Sequence, residues 1–530
     1  MNDAGWLSLL PPVLAIGLAL VTRQVLLSLL LGVWAGAWVL TGSPATAFLR
    51  TGDQFLVGAL ADRSHASIVL FSTILGGMVG VLSRSGATEG IVHWLGRRVR
   101  GRRGAQVATA AMGTVIFFDD YANTLLVGST MRPLTDRLRI SREKLAWLVD
   151  STAAPVTTVA FISTWVGFEV GLVQEAMTRL GQEGEAYTFF LRTIPYSYYP
   201  LLTILLIYLV PLTGRDWGPM LRAERRALRT GQVLRPGARP ASDQPLQGGG
   251  PDGAAPAHPL LAGLPILAVL LVTALGLYVD GHAKAVAGGN ATPTLREVLN
   301  QADSFSVLMW AALGGAALAV GLQVGSRRQT LSQALDGFVE GAKSMLIAVC
   351  ILVLAWSLSA VCDKLGTATF LVDACRDVLS ARMLPLLTFL IAAAVSFATG
   401  TSWGTMAILM PLVYPLGAQL PVAAGLAPDV ALHVHLAAVS AVLAGSVFGD
   451  HCSPVSDTTI MSSLATGSDH VDHVRTQLPY ALLVAAISVV CGYLPVGLGL
   501  SPWLSLPLGA AVLVAVWRVL GRRVDDGSAP

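Results

Sequence analysis

A polar stretch at 449–459 lies in the middle of an apolar run that extends from about 432 to about 464. It reads Gly-Asp-His-Cys-Ser-Pro-Val-Ser-Asp-Thr-Thr and contains two acids, Asp450 and Asp457. The run is long enough to cross a bilayer, which takes roughly 20 residues, and a carboxylate at the centre of a membrane helix costs roughly 2.5–3.5 kcal/mol. Pro454 removes a backbone donor and breaks the helix, which frees carbonyl groups to bind a cation. The stretch therefore predicts a broken membrane helix that coordinates an ion.

The same stretch offers hydroxyl groups on Ser453, Ser456 and Thr458, and we expect hydroxyls and carbonyls to complete the shell of a hard cation. A second stretch of similar composition begins at Asp150 and continues Ser151-Thr152-Ala-Ala-Pro-Val-Thr-Thr. It predicts a matching break with its own acid. Alternatively, the acids of both stretches cap the half-helices at the breaks, because Asp accepts hydrogen bonds from free amide donors. The two roles are compatible.

A third polar group interrupts the apolar segment 104–131, where Asp119 directly precedes Asp120. Neighbouring carboxylates at low dielectric cannot both ionise cheaply, so one of them is expected to hold a proton, as a proton-exchanging site requires. Asn123 and Thr124 follow as candidate oxygen ligands for a hard cation. A hairpin turn with exposed acids is the alternative.

The apolar segment 384–415 contains a comparable polar group. Its hydroxyls on Thr399, Thr401 and Ser402 are candidate ligands for the same cation. Helix capping and tight turns explain these hydroxyls equally well.

Composition assigns the chain to the membrane proteins. Of 530 residues, 54% are apolar and a further 54 are glycine, whereas only 13% are charged, about half the share in a soluble domain. We therefore expect an all-α polytopic membrane protein with about 11 transmembrane helices. The apolar runs of spanning length lie at about 6–22, 24–41, 67–83, 145–167, 193–213, 259–279, 304–323, 343–361, 432–464, 478–498 and 502–519.

Clusters of arginine give the expected orientation. They lie at 97–103, 215–229, 327–328 and 522–523, after the third, fifth, seventh and eleventh runs. Basic loops stay in the cytoplasm, so each cluster agrees with an N-terminus outside and a C-terminus inside the cell (inner) membrane. The acidic loop 168–190 then falls outside.

The segments 104–131 and 384–415 do not fit as single crossings. Basic residues flank 104–131 on both sides, so both of its ends should be cytoplasmic and the segment must enter the membrane and return. The segment 384–415 is expected to behave alike from the outer face. Irregular backbone at membrane depth is tolerated where it is buried in protein or lines a cavity, so both tips are expected at the ion site.

Similar residues recur about 280 positions apart, for example Gly86 with Gly366, which indicates an internal repeat. Each copy holds five crossings and one hairpin, and an odd number of crossings turns the second copy upside down. Many secondary transporters have such inverted repeats, with their sites at the repeat interface. The expected units are a first repeat at 1–213, a flexible cytoplasmic linker at 214–258, a second repeat at 259–498, and an extra span with a cytoplasmic tail at 499–530.

The stretch at 449–459 resembles the signature of the NhaC family of Na⁺/H⁺ antiporters, and the stretches at 117–124 and 150–158 are similar to that family as well. The resemblance covers about 67–500. It implies a transport domain of two hairpins and two broken helices beside a scaffold domain that is often dimeric, so a homodimer through the scaffold is an expectation. It also implies Na⁺ and H⁺ as the ions. Some similar proteins exchange malate for lactate.

We expect Na⁺ to bind at Asp120, Asp450 and Asp457 and to displace protons there, without a cofactor, a catalytic residue or a nucleic-acid partner. A Na⁺/H⁺-coupled organic acid antiporter is the main alternative, although no lysine or arginine lies at either break to meet a carboxylate substrate. Two further alternatives are an intramembrane aspartyl protease and a channel. A protease has no use for inverted repeats and hairpins, and a channel requires no counter-ion.

Overall fold

The computed structural model describes residues 5–22, 24–88, 90, 99, 101–182, 184–240, 257–289, 292–294, 297–298, 301–367, 370, 374, 380–454 and 456–525. Helices make up nearly all of this part, which confirms the all-α class. The first twelve α-helices are α1 (Leu10–Thr22), α2 (Val25–Thr41), α3 (Pro44–Arg50), α4 (Val57–Ala61), α5 (Arg63–Arg84), α6 (Gly101–Val115), α7 (Asp120–Arg137), α8 (Arg142–Thr152), α9 (Ala154–Thr157), α10 (Thr164–Arg179), α11 (Ala186–Thr193) and α12 (Tyr198–Thr213).

The second half of the described chain is helical as well. Its α-helices are α13 (Gly218–Thr230), α14 (Leu260–Ala287), α15 (Ser304–Gly325), α16 (Leu331–Ser344), α17 (Leu346–Lys364), α18 (Leu384–Thr399), α19 (Ser402–Ala423), α20 (Pro428–Cys452), α21 (Asp457–Thr466), α22 (His470–Ile487), α23 (Leu494–Gly497) and α24 (Pro502–Leu520). Short 3₁₀ or π-helical turns cover Gly5–Leu9, Thr51–Leu56, Ile194–Tyr196, Ala381–Met383 and Ser488–Tyr493. Two short strands, β1 (Arg215–Asp216) and β2 (Arg522–Arg523), pair antiparallel.

Nine helices in the described part are long and apolar enough to cross a membrane, or ten if the bent pair Ala186–Tyr196 and Tyr198–Thr213 is one span. The chain is therefore a polytopic membrane protein. The count differs from the expected eleven for identifiable reasons. α1 and α2 have only 13 and 17 residues, and the predicted fourth span at 145–167 is interrupted. The exact number of crossings stays a prediction.

Both expected helix breaks are present. α8 ends at Thr152, and α9 then continues for only 4 residues. α20 ends at Cys452, the next residue is extended, and α21 begins at Asp457. A proline lies at each break: Pro155 is the second residue of α9, and Pro454 lies between α20 and α21. Proline lacks the N–H that would continue the helical hydrogen bonds, so it favours a break at these positions.

Each of the two predicted re-entrant segments folds into two helices joined at its polar residues. α6 and α7 meet at residues 116–119, and α18 and α19 meet at Gly400 and Thr401. The pair α6–α7 packs against α8, and the pair α18–α19 packs against α20. Since Ala381–Thr399 and Ser402–Ala423 are each long and apolar enough to cross a membrane, the re-entrant path stays a prediction.

Two glycines bring the helix pairs close to the breaks. A Cβ atom added at Gly449 of α20 would lie 2.4 Å from a backbone carbonyl oxygen of α18, which is closer than packed atoms tolerate. At this close approach the Ser453 hydroxyl donates to the Phe397 carbonyl at 2.7 Å. A Cβ at Gly113 of α6 would lie 2.0 Å from the Thr152 hydroxyl oxygen. Both helix pairs therefore depend on glycine to reach the helix that breaks beside them.

The first part of the predicted flexible linker is folded. Residues 214–240 include β1 and α13, and α13 packs against α8 and α22. Glu224 on α13 is fully buried and accepts hydrogen bonds from the Ser141 N–H at 2.7 Å, the Ser141 hydroxyl at 2.8 Å and the Arg102 guanidinium at 2.8 Å. A buried carboxylate with these partners fixes α13 to the start of α8. Residues 241–256 of the linker lie outside the described residues.

The arginine-rich composition of the linker makes α13 hard to predict from the sequence. α13 is amphipathic and buries Met220, Leu221, Ala223 and Ala227 on one face. An apolar stripe of four residues is short enough to be lost in a segment that is otherwise basic and then rich in proline and glycine.

Candidate functional site

A cavity of about 250 Å³, here called the central cavity, is lined by residues from both halves of the sequence. Three helices begin at this cavity. Its lining includes Asp120, Ser402 and Thr458, each of which is the first or second residue of its helix, α7, α19 and α21 respectively. Asp450, near the end of α20, adds a second carboxylate to the wall. The other described lining residues are Tyr121, Trp165, Ser344, Met345, Ile347, Ile351, Thr401 and Trp403.

Asp450 connects the second helix break with the second helix pair. It is buried, and its Oδ2 accepts hydrogen bonds from the Ser402 hydroxyl at 3.3 Å and the Thr458 hydroxyl at 3.5 Å. A hydroxyl that donates its proton keeps lone pairs on its oxygen. The three side chains can therefore present several oxygen ligands to a small hard cation.

Asp150 lies behind the cavity wall, where three side chains donate to it. Its Oδ1 accepts from the Ser462 hydroxyl at 3.2 Å, and its Oδ2 accepts from the Thr459 hydroxyl at 3.2 Å and the Gln477 amide at 2.6 Å. The Thr459 hydroxyl also lies 3.5 Å from the backbone carbonyl oxygen of Asp450. Asp150 and Asp450 therefore belong to one polar network, although only Asp450 lines the central cavity.

A buried histidine ties the two breaks to α12. His451 Nε2 is hydrogen-bonded to the Ser151 hydroxyl at 3.0 Å, and its Nδ1 is hydrogen-bonded to the Tyr199 hydroxyl at 2.6 Å. The Gln477 amide also donates to the backbone carbonyl of His451. Both ring nitrogens have protein partners, so His451 holds α8, α12 and α20 together.

Asn123 fixes the connection between α6 and α7 against the first break. Its Nδ2 donates to the carbonyl oxygens of Gly113 at 2.6 Å and Thr152 at 2.9 Å. Its Oδ1 accepts from the Thr152 hydroxyl at 3.4 Å. The neighbouring Asp119 accepts from the Thr164 hydroxyl at 3.2 Å, at the start of α10. These contacts occupy the oxygens of Asn123 and Thr152 with protein partners.

The remaining predicted hydroxyls at the second connection and break bond to backbone. Thr401 and Ser456 accept from backbone N–H groups in the first turns of α19 and α21, at 3.3 and 3.4 Å. Ser453 donates to a carbonyl at the end of α18, and Thr399 donates to a carbonyl of its own helix. The capping alternative therefore applies to Thr401 and Ser456, and Thr401 lines the cavity as well.

The predicted site residues fall into two groups. Those that line the central cavity are Asp120, Thr401, Ser402, Asp450 and Thr458. Those that are buried outside its wall are Asp119, Asn123, Thr124, Asp150, Ser151, Thr152, Thr399, Ser453 and Ser456. Asp457 begins α21, and its side chain lies outside the described residues.

Sequence analysis missed several polar groups of the network. Ser462 is not among the predicted site residues, although it lies three residues from Thr459 and so shares a face of α21. Gln477 is not among them either, although it is a lone amide at the edge of the apolar run 478–498. Glu169 was expected in an external loop, but it is fully buried on α10 and accepts from the Thr158 hydroxyl at 2.5 Å.

The polar side chains of the central cavity offer hard oxygen ligands. Among the described residues, no three His, Cys, Asp or Glu side chains come together as a transition-metal site requires. No lysine or arginine is among the described residues of the wall. Carboxylate and hydroxyl oxygens suit alkali and alkaline-earth cations, and the same carboxylates bind protons.

Broken helices, with buried acids facing a cavity inside an all-helical membrane protein, define a membrane transport protein. The fold is similar to that of the YdaH transporter of Alcanivorax borkumensis, with a TM-score of 0.53 and 16% identity over 89% of each chain. A sequence model described as the Na⁺/H⁺ antiporter family matches residues 156–498, and the chain belongs to this family. The family expected from the 449–459 stretch is thereby confirmed.

Two relatives show how similarity is distributed along the chain. A protein of Haemophilus influenzae, itself uncharacterised, is 32% identical over 514 residues, which are 96% of this chain and 94% of its own length. The malate-2H⁺/Na⁺-lactate antiporter of Bacillus subtilis is 30% identical over 186 residues, which are 34% of this chain and 36% of its own length. Similarity to the second relative therefore covers only about a third of either protein.

Proposed function

We propose that this protein exchanges Na⁺ for H⁺ across the cell membrane by alternating access. The observation that carries the proposal is that Asp120 and Asp450 line one cavity together with hydroxyl side chains of α19 and α21. Membership of the Na⁺/H⁺ antiporter family supports the choice of ions. A carboxylate binds a cation only after it has lost its proton, so the same side chains serve both ions.

Competition for the carboxylates provides the coupling in this proposal. Na⁺ enters the cavity and takes oxygen ligands from Asp120, Asp450 and the proposed third acid, Asp457, and protons leave. Ser402 and Thr458, whose hydroxyls donate to Asp450, contribute their lone pairs to the ion. Because the two ions need the same oxygens, they cannot be bound together, and a full cycle exchanges one for the other.

Alternating access requires that the cavity open to each face in turn. We propose that the units containing α6–α9 and α18–α21 move against a scaffold that includes α5, α14 and α15, in which α15 packs on both α5 and α14. Only 28% of the α14 span is buried inside the chain, so its outer surface is available for a second copy in a homodimer. The arginine clusters support an external N-terminus and a cytoplasmic C-terminus in the inner membrane.

The test is Na⁺-dependent dequenching of a pH-sensitive dye in everted membrane vesicles. Asp450→Asn is expected to abolish the response at unchanged expression, and Asp457→Asn to weaken or abolish it. The matched control is Asp429→Asn, which alters an exposed acid in the first turn of the same helix, α20, and should respond like the wild type. Exchange at the wild-type rate in Asp450→Asn would reject the proposal.

A second candidate is a Na⁺/H⁺-coupled organic acid antiporter, and two observations favour it. The volume of about 250 Å³ exceeds the needs of one cation, since a water molecule takes roughly 30 Å³. Three helices begin at the cavity, and helix N-termini attract anions such as carboxylates. Uptake of labelled malate and lactate by the same vesicles separates the candidates. Saturable uptake that Asp450→Asn abolishes would favour the second, and absence of uptake alongside Na⁺/H⁺ exchange would favour the first.

A further inference from the structure

A second cavity, of about 660 Å³, lies between α13 and the end of α24. We call it the arginine groove, because its wall contains Arg222, Arg225, Arg229 and Arg522 and, among the described residues, no acid. The rest of the wall is mainly apolar and includes Trp217, Leu221, Val519 and Leu520. The groove therefore combines a cluster of cations with an apolar surface.

The arginine groove lies where a lipid-facing helix leaves the membrane. α24 is a candidate membrane span that ends at Leu520, and only 22% of the span is buried inside the chain. Val519, in the last turn, is 82% exposed. The end of a spanning helix is at the level of the lipid headgroups, so the apolar part of the wall faces acyl chains and the arginines face headgroups.

The walls of the groove are held by specific contacts. β1 pairs with β2, and the Arg215 guanidinium donates to the carbonyl oxygens of Arg518 at 2.8 Å and Gly521 at 3.1 Å. The Arg225 guanidinium donates to the Arg523 carbonyl at 3.0 Å. The groove is therefore formed before any ligand binds, which lowers the entropic cost of binding.

Three of the four arginines of the groove, Arg222, Arg225 and Arg522, keep their charge free of described acids. Elsewhere on α13, Arg226 donates to both carboxylate oxygens of Glu143 at 3.0 and 2.9 Å. In the part of the chain that the structure describes, no ion pair involves Arg222, Arg225 or Arg522. Like charges held close together repel one another, so an anion bound between them is stabilised.

We propose that the arginine groove binds an anionic phospholipid. The guanidinium groups bind the headgroup phosphate, for which their planar fork of donors is well suited, and the acyl chains lie along the exposed end of α24. Trp217 lies in the wall at the interfacial level that tryptophan prefers in membrane proteins. A soluble phosphate would use the arginines alone and leave the apolar wall uncovered, so the lipid is the occupant that fits both parts.

The experiment measures lipid affinity of the full-length protein in an uncharged detergent after delipidation. Phosphatidylglycerol, phosphatidylcholine and inorganic phosphate are titrated separately, and the unfolding temperature reports binding. Only phosphatidylglycerol is expected to stabilise the wild type. In Arg222→Gln/Arg522→Gln its affinity should fall about 30-fold, since each arginine near an anionic lipid contributes about a factor of five. Both residues are exposed, so the double variant should fold.

The matched control is Arg137→Gln/Arg327→Gln, which removes two exposed arginines away from the groove. It should keep the affinity of the wild type within about twofold. Equal loss in both double variants would show a general charge effect and overturn the proposal. Equal stabilisation by phosphatidylcholine, or stabilisation by inorganic phosphate to the same extent, would also overturn it, because either result removes the need for an anionic lipid.

Discussion

The central cavity predicts how strongly Na⁺ affinity depends on pH. Each carboxylate that must lose a proton before Na⁺ binds changes the apparent affinity about tenfold per pH unit, or about 1.4 kcal/mol. Two carboxylates, those of Asp120 and Asp450, line the described part of the cavity. The apparent Kd for Na⁺ should therefore fall by up to about 100-fold per pH unit while both are protonated. A contribution from the proposed ligand Asp457 would steepen the dependence further.

The perturbation is Asp450→Asn, which keeps the size of the side chain and removes one exchangeable proton. The slope of log Kd against pH is negative, and its magnitude should be smaller by about one in the variant than in the wild type, because one proton fewer is displaced per Na⁺ bound. The assay is isothermal titration of the purified protein with NaCl at several pH values over about two units, with choline chloride holding the ionic strength constant. Binding is measured because the variant is not expected to complete the exchange cycle.

The slope of log Kd against pH is also the quantity measured for the control variant, and it decides which results refute the prediction. Asp429→Asn removes an exposed acid from the same helix and should leave the slope unchanged. A wild-type Kd that does not change with pH would show that Na⁺ and H⁺ do not share ligands. Equal slopes in the wild type and Asp450→Asn would show that Asp450 is not one of the groups that release a proton.

Three further predictions concern stability, and each is measured by unfolding in detergent. Asp150→Ala should lower the free energy of unfolding by about 3–5 kcal/mol, because three buried donors lose their acceptor; Asp150→Asn should cost less. Gly449→Ala should cost about 1–3 kcal/mol, since the new Cβ meets a carbonyl at 2.4 Å, whereas Gly321→Ala enters open space and should be nearly neutral. Burial raises the pKa of Asp469, which lies at the start of α22, but hydrogen bonds from three backbone N–H groups lower the pKa and outweigh the burial. Its stabilising contribution is therefore present above about pH 4 and is lost as the pH falls through the lowered value, and Asp469→Ala should remove this pH dependence.

The sequence was sufficient to predict the breaks because their cause is local. Pro155 and Pro454 cannot donate a backbone hydrogen bond, and a buried acid near each of them signals a tolerated interruption of the membrane helix. The structure has a break at both positions. The family could also be predicted, since the 449–459 stretch carries enough residue types at fixed spacing to be specific.

The partners of the acids could not be predicted in the same way, because they depend on packing between distant segments. Asp150 and Gln477 are hydrogen-bonded across 327 positions of sequence, and Ser151 and His451 across 300. No pattern within a single helix encodes these pairs. Glu169 shows the same limit: its acidic segment predicts an external loop, but the helices around α10 enclose its side chain completely.

The two breaks are matched in sequence, yet their acids are in different environments. Asp450 faces the central cavity and accepts from hydroxyls that can also serve a cation, whereas Asp150 is surrounded by Ser462, Thr459 and Gln477, which hold it in place. The Thr459 hydroxyl has one proton and two acceptors within reach, Asp150 Oδ2 at 3.2 Å and the Asp450 carbonyl at 3.5 Å. A cation that binds the Asp450 carbonyl competes for this acceptor, and the hydroxyl then donates to Asp150 alone. We infer that Asp150 supports the second break and responds to the ion through Thr459, and that the ion itself is bound by the acids of the cavity wall.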